Sequence, residues 1–116
     1  MLADAHRQAA LDLERSVAAL GDPAVNPWNA RAIIALCWDA AFHWVAYGCQ
    51  VKHGKHKENH TKLVQYLNDL GEPTIGRSWE ALENARRGGM YGHHATPPDV
   101  SNAQRHWQDI RTWATT

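Results

Sequence analysis

The segment AIIALCWDAAFHWVAY, residues 32–47, is the most apolar part of the chain. Drawn as an α-helix, its apolar residues cover most of the circumference rather than a single stripe. A helix of this kind must be surrounded by neighbours, and we therefore predict a central helix that ends at about Tyr47. Asn26 and Pro27 precede the segment as a cap residue and a proline suited to the first helical position. Gly48 and Gly54 bracket the predicted end.

Four further segments on either side of this helix show helical periodicity, and glycine or proline separates them. No stretch alternates between apolar and polar residues for long enough to indicate a strand. The predicted helices cover about 3–20, 26–47, 60–70, 78–87 and 101–114. The short loops favour an all-α, antiparallel up-and-down bundle of four to five helices, with residues 1–116 in a single domain.

Particular residues fix the predicted boundaries and faces. Ser78 and Ser101 are the expected N-caps of the last two helices, and Ser101 has Gln104 at capping-box spacing. Gly88-Gly89 is expected to break the fourth helix, as Gly71 and Pro73 end the third. The first helix is expected to bury the stripe Ala5, Ala9, Leu13, Val17 and Leu20.

The composition is that of an ordinary soluble globular protein, with 44% apolar and 21% charged residues in 116. Lys plus Arg and Asp plus Glu are equal at 12 each, which excludes a broad basic field that would attract nucleic acid. A contact with nucleic acid would therefore need a local patch or a surface formed by oligomerisation. Eight histidines are many for this length.

The compartment is predicted from charges and cysteines. Asp4 and Arg7 interrupt the N-terminal segment where a signal peptide would be apolar, and Asp39 and His43 interrupt the most apolar segment. The two cysteines are predicted to lie on one helix roughly 18 Å apart, too far to form a disulfide. We expect a cytoplasmic protein without a membrane span, in which Cys37 and Cys49 are small buried apolar residues.

The run from Arg86 to His94, RRGGMYGHH, has the residues of a phosphate-handling site. An arginine guanidinium carries a permanent charge and matches phosphate oxygens through two hydrogen bonds. A histidine can take a proton from a hydroxyl group or return one to a leaving oxygen. The alternative is a solvated helix end whose arginines offset the negative end of the helix dipole.

A second run, His53-x-x-His56-x-x-x-His60, would bring three imidazoles to one helix face and could bind zinc or nickel. Gly54 and the surrounding lysines argue against that helix and against a cation. A solvated basic loop is the favoured interpretation, and we assign no metal ligand and no cofactor.

Six tryptophans are also many for a chain of this length. Trp38, Trp44 and Trp107 are expected to fill the core. Trp28 and Trp113, near helix ends, are the better candidates for contact with a partner.

The order of these features resembles the HEPN domains (higher eukaryotes and prokaryotes nucleotide-binding), a superfamily of helical bundles. An Ala- and aromatic-rich helix, Ala40-Ala-Phe-His-Trp-Val-Ala-Tyr, leads into a glycine-containing turn and then into His60-Thr-Lys-Leu63. An Arg-x(4–6)-His motif and a terminal helix follow, and the resemblance covers about residues 28–114.

The resemblance implies a homodimer in which the motif Arg and His of both copies face a shared cleft. Many members are metal-independent endoribonucleases that act as toxins or in defence. Others lack catalysis and bind a nucleotide, RNA or a protein partner such as a nucleotidyltransferase or an antitoxin. In the active members the ribose hydroxyl attacks the adjacent phosphate, the His does acid–base or positioning work, and the Arg stabilises the charge on phosphorus.

Two registers of the motif fit this chain. Six residues separate Arg86 from His93 and five separate Arg87 from His93. We favour Arg86, because a polar residue then follows the motif arginine. The resemblance thus assigns Arg86 and His93 as catalytic residues, and Arg87, Tyr91 and His94 as binding residues. Tyr91 follows Arg86 at the spacing where inactive relatives carry Tyr, which leaves a ribonuclease and a non-catalytic module as alternatives.

Overall fold

The structure, a computed structural model, describes residues 1–22, 27–91 and 95–116, with only the backbone at residues 27 and 89–91. Within these ranges the chain forms five α-helices and no strand. The helices are α1 (Ala3–Leu20), α2 (Ala30–His53), α3 (Leu63–Asp69), α4 (Pro73–Tyr91) and α5 (Pro97–Thr115). Short 3-10 helices, Pro27–Asn29 and His60–Lys62, precede α2 and α3. The predicted all-α helical bundle is confirmed.

The central position of α2 is also confirmed. This helix packs against α1, α4 and α5, and 11 of its 24 residues are buried. The buried apolar side chains of all five helices form one continuous core. By length and composition α2 could cross a membrane, yet 56% of its apolar window is buried inside the fold. This burial indicates the core helix of a soluble protein.

The end of α2 differs from the prediction. The helix continues beyond Tyr47 to His53, with Gly48 buried in its interior. The Trp113 side chain of α5 occupies the space that a Cβ at position 48 would need. Gly54 then ends the helix in the left-handed conformation, with a φ of 72°. Gly48 is therefore there for close helix packing rather than for a turn.

The predicted start of α4 at Ser78 is wrong, because the helix begins at Pro73. Proline has no amide hydrogen to lose and its φ suits the first helical turn, so the residue expected to stop α3 opens α4 instead. Ser78 is a buried residue of the second turn.

The predicted break at Gly88-Gly89 is also wrong, because α4 continues to Tyr91. A glycine in a helix interior costs only about 1 kcal/mol relative to alanine. The helix as a whole packs against α2, α3 and α5, and Ala81, Ala85 and Gly88 line an open groove between α4 and α5.

The N-terminus of α5 is capped five residues earlier than predicted. Thr96, rather than Ser101, is the N-cap residue. Its backbone N–H donates to the Asp99 carboxylate at 2.9 Å, and the Asp99 N–H donates to the Thr96 hydroxyl at 3.4 Å. Pro97 and Pro98 occupy first-turn positions whose amide groups have no helical partner, so the earlier cap is compatible with both prolines.

The predicted stripe of α1 is correct in its C-terminal half and wrong at its start. Val17 is buried, and Leu13 and Leu20 pack against the core as predicted. In the first turns His6 and Ala10 are buried instead, whereas Ala5 is exposed. An apolar pattern alone misses this part of the face because it includes a buried histidine.

The cysteines and most of the tryptophans lie in the core as predicted. Cys37 and Cys49 are free and buried, and burial raises the pKa of each thiol to about 12, which keeps them protonated. Trp44 and Trp107 are buried, and Trp38 is partly buried against the core.

The two tryptophans predicted to face a partner differ from each other. Trp113 packs against the core and its indole N–H donates to Glu72 at 3.1 Å, so that prediction does not hold for it. Trp28 is 85% exposed, and its role at an interface stays a prediction.

Candidate functional site

The C-terminal part of α4 presents Arg86 and Arg87 in different environments. The Arg86 side chain is half-buried, and its guanidinium carbon lies 4.2 Å from the ring centroid of Trp38 on α2. This is a close cation–π contact. Arg87 is 66% exposed, and its Nη2 lies 3.3 Å from a carboxylate oxygen of Glu83. Adjacent residues of an α-helix point about 100° apart, so the two charges face different directions.

Glu83 is a further residue of this candidate site, and no pattern in the sequence indicates it. It is 7% exposed and accepts a hydrogen bond of 2.6 Å from the Trp38 indole N–H. The same oxygen lies 3.4 Å from His60 Nδ1, at ion-pair distance but without the alignment of a hydrogen bond. A buried carboxylate needs such partners, and here they connect α2, the turn before α3 and the end of α4.

These contacts fix Trp38 and thereby Arg86. The indole edge of Trp38 is held by Glu83 and its face lies beneath the Arg86 guanidinium. Within residues 1–22, 27–91 and 95–116, no carboxylate lies at ion-pair distance from Arg86. A guanidinium has five N–H donors, and the aromatic contact uses none of them. Arg86 is therefore a positioned cation whose donors can bind an anion.

The remaining residues of the predicted site lie at the edge of the described chain. Tyr91 ends α4, and its side chain is not among the described ones. His93 and His94 fall in 92–94, outside the described residues. The predicted pairing of Arg86 or Arg87 with His93 therefore stays a prediction.

An open groove of about 300 Å³ runs between α4 and α5, beside this helix end. Gly88 forms part of its wall, one residue after Arg87. Asn84, Asn102 and His106 contribute polar groups to the lining. Amides of this kind can hydrogen-bond to the edges of nucleobases.

The three histidines of the 53–60 run do not converge. His53 Nε2 lies 3.2 Å from Glu72, and His60 lies near Glu83. His56 instead turns toward α1, where His6 lies. A site built from His53, His56 and His60 together is thus not formed.

His6, His56 and Glu58 form a second polar cluster, which we call the histidine cluster. Glu58 Oε1 lies 2.9 Å from His6 Nε2 and 3.3 Å from His56 Nε2. The His6 side chain is 1% exposed, that of His56 15% and that of Glu58 47%. The cluster therefore extends from the core to the surface.

Burial and charge shift the pKa values of this cluster. Burial lowers the pKa of His6 below its ordinary 6.5, against the opposing effect of the hydrogen bond that His6 donates to Glu58. Hydrogen bonds from the Met1 amino group, His6 and His56 lower the pKa of the Glu58 carboxyl to about 2. His56 and Glu58 follow His6 by 50 and 52 positions in the sequence, so no local spacing motif could reveal the cluster.

Comparisons of the chain with protein-family models, with curated proteins and with solved structures find no match. What the protein does must therefore be argued from its own residues.

Proposed function

We propose that this protein is a HEPN-like helical module that cleaves RNA without a metal ion, at a cleft between two copies of the chain. Arg86 and His93 are its catalytic residues, and Arg87, Tyr91 and His94 contact the RNA. The observation that carries the proposal is the Arg86 guanidinium, fixed on Trp38 at 4.2 Å and close in sequence to two histidines.

The position of Arg86 suits stabilisation of a phosphate. A donor aimed at developing charge is most effective when it is already in place before the reaction. Trp38 on α2 holds the Arg86 guanidinium in place, because its own indole is fixed by the hydrogen bond to Glu83 on α4. Arg87, which is exposed and paired with Glu83, is better suited to hold the RNA backbone than to act on the reacting phosphate.

The proposed reaction is attack of a ribose 2′-hydroxyl on the adjacent phosphate. The 2′-oxygen forms a bond to phosphorus, the bond from phosphorus to the 5′-oxygen breaks, and a 2′,3′-cyclic phosphate and a 5′-hydroxyl result. His93 accepts the 2′-hydroxyl proton or returns one to the leaving oxygen, and Arg86 stabilises the phosphorane charge. Neither step requires a metal ion.

A dimer reconciles this chemistry with the balanced charge of the chain. One copy has no net charge at pH 7 with neutral histidines, which limits its attraction for RNA. A cleft formed by two copies would place two sets of Arg86, Arg87, His93 and His94 together. Trp28, 85% exposed, is a candidate for the contact between copies. We place this activity in the cytoplasm, with a nucleotidyltransferase or antitoxin as a proposed protein partner.

Glu83 favours a second candidate function, a non-catalytic module that binds a nucleotide, RNA or protein. Its carboxylate neutralises Arg87 and lies next to the ring that supports Arg86. A negative charge so close to both arginines would weaken the stabilisation of a phosphorane. Tyr91 in the motif agrees with this alternative.

The test is incubation of the purified protein with structured and unstructured RNA in excess chelator. Wild type is compared with His93→Ala and with His94→Ala, its neighbour in the sequence. We expect cleavage that leaves cyclic phosphate ends and that falls by about 10²-fold or more in His93→Ala. The same preparations should be dimers by light scattering at micromolar concentration.

Two results would contradict the ribonuclease proposal. If RNA stays intact although the wild type is folded and dimeric, the ribonuclease proposal is wrong and the non-catalytic binding module remains. That module should then bind RNA or a nucleotide without turnover. Equal cleavage by wild type and His93→Ala would point to a contaminating nuclease. A monomer would remove the shared cleft.

A further inference from the structure

The histidine cluster gathers three ligand-type atoms from two parts of the chain that are distant in sequence. His6 lies on α1, and His56 and Glu58 lie in the connector after α2. One nitrogen from each imidazole and one carboxylate oxygen all lie within 4.8 Å of one another. Ligand atoms on a tetrahedral zinc ion are separated by roughly 3.4 Å, given bonds of about 2.1 Å. Small side-chain rotations would close the set around one ion.

The hydrogen bonds of His56 determine which of its nitrogens can bind a metal ion. His56 Nδ1 lies 2.8 Å from the amide oxygen of Gln50, which can only accept. One hydrogen of His56 is therefore on Nδ1, and Nε2 faces Glu58 Oε1 at hydrogen-bond distance, 3.3 Å away. A metal ion at this place would displace the hydrogen between Nε2 and the carboxylate and bind to both groups.

His43 holds the His6 ring on the side away from Glu58. The Nε2–H of His6 donates to the Glu58 carboxylate at 2.9 Å, so Nδ1 of a neutral His6 accepts from Nδ1–H of His43 at 2.8 Å. A metal ion bound at Nε2 would displace that hydrogen, and the bond between the two imidazoles would reverse so that His6 donates to His43. Metal-binding imidazoles are held by such outer partners, which fix both the tautomer and the ring.

Protons and the Met1 amino group would compete with a metal ion for the ligand atoms of the histidine cluster. The Met1 amino group lies 2.8 Å from Glu58 Oε1 and supplies positive charge there. A metal ion bound by neutral imidazoles would satisfy both lone pairs and the carboxylate at once.

Two of the lysines that argued against a metal site in this region, Lys52 and Lys57, lie against aromatic rings. Lys52 Nζ lies 5.8 Å from the ring centroid of Trp113, and Lys57 Nζ lies 5.3 Å from that of Tyr66. Both ammonium groups are thus engaged with aromatic faces outside the histidine cluster.

We infer that His6 Nε2, His56 Nε2 and the Glu58 carboxylate bind one divalent transition-metal ion. Two imidazoles and a carboxylate suit zinc, cobalt or nickel rather than magnesium or calcium. Three protein ligands leave a fourth position, which opens to solvent beside the 47% exposed Glu58 side chain and would hold water. The ion would tie α1 to the connector, and it lies outside the proposed cleavage chemistry.

The experiment uses the full chain without a purification tag, freed of metal by chelator and dialysed. Cobalt(II) titration is followed by visible absorption, and zinc affinity is measured by competition with a chromophoric chelator. We expect the wild type to bind one equivalent of metal ion per chain. The metal affinity should fall by at least tenfold in His56→Gln and in Glu58→Gln. His53→Gln is the matched control, because His53 pairs with Glu72 outside the cluster.

Both substituted residues are partly exposed, so circular dichroism should show intact folds that make the comparison valid. Wild-type binding that His56→Gln leaves unchanged, or no binding at all, would overturn the inference. The titrations contain no RNA and the cleavage test contains chelator, so each proposal fails or succeeds independently of the other.

Discussion

Glu14 has an unusual role for a carboxylate on α1. Its Oε2 accepts from the indole N–H groups of Trp44 at 2.6 Å and Trp107 at 3.0 Å, and its side chain is 12% exposed. Trp38 and Trp113 likewise donate to Glu83 and Glu72. Four of the six tryptophans thus combine apolar burial with one hydrogen bond to a glutamate.

Replacing Glu14 with alanine should be strongly destabilising. It leaves two buried indole N–H groups without an acceptor, and each such group costs about 1–3 kcal/mol. We expect the free energy of unfolding to fall by about 2–4 kcal/mol in urea denaturation. Glu14→Gln, which keeps an acceptor, should lose less.

The control is Asp12→Ala on the same helix, where the carboxylate is 58% exposed and bonds only to residues of α1. Its effect should stay within about 0.5 kcal/mol. A loss in Glu14→Ala no larger than that of the control would show that the indoles do not depend on this carboxylate.

At the scale of helices, Gly48 fixes how closely α2 and α5 approach. Alanine is the better helix former by about 1 kcal/mol, so propensity alone predicts that Gly48→Ala stabilises the protein. The structure predicts the reverse, because the new Cβ would overlap the Trp113 ring. We expect a loss of about 1–3 kcal/mol, as in other overpacked cores.

Thermal unfolding would measure this effect, with Trp113→Leu as the second variant. Adding Gly48→Ala to Trp113→Leu should cost much less than adding it to wild type, because the overlapping ring is gone. An equal cost in both backgrounds would place the strain somewhere other than this helix contact.

The helices themselves were largely predictable, and so were both ends of α1, but the ends of α2, α4 and α5 were not. The segment 32–47 predicts a central helix because its apolar residues face every direction. The ends depended on choices between equally good local signals, such as Thr96 or Ser101 as the cap of α5. Glycine is also an uncertain helix-end signal, because its cost in a helix interior is only about 1 kcal/mol, and α4 continues through Gly88 to Tyr91.

The candidate sites were less predictable than the helices. Arg86 and Arg87 were identified from a local run, but their partners Trp38 and Glu83 come from contacts across the bundle. The histidine cluster joins residues up to 52 positions apart. A sequence motif shows neither the partners of the arginines nor the histidine cluster, because only the folded chain brings these groups together.

At the scale of the whole molecule, the buried histidines make stability depend on pH. Burial lowers the pKa of both His6 and His43 in the fold below the ordinary 6.5. The unfolded chain then binds more protons than the folded one as pH falls below about 6.5. Stability from the neutral pair is complete above that pH and is lost toward pH 5, by about 1.4 kcal/mol per pH unit for each proton taken up.

Urea denaturation between pH 7.5 and 5 would measure this slope in wild type and in His43→Gln. The variant should lose less stability on acidification, since one neutral imidazole has been replaced by a group that does not titrate. His53→Gln, outside the cluster, is the control. If the free energy of unfolding falls with the same slope in wild type and in His43→Gln, the pH dependence does not come from His43.

The most direct test of the central claim compares Arg86→Ala with Arg87→Ala in RNA cleavage under excess chelator. The Arg86 guanidinium is fixed on Trp38, whereas Arg87 is exposed and paired with Glu83. We predict that cleavage falls by about 10²-fold or more in Arg86→Ala. Arg87→Ala should lose mainly RNA affinity. Equal cleavage by Arg86→Ala and wild type, or no cleavage by the folded wild type, would contradict the claim that Arg86 is the catalytic cation.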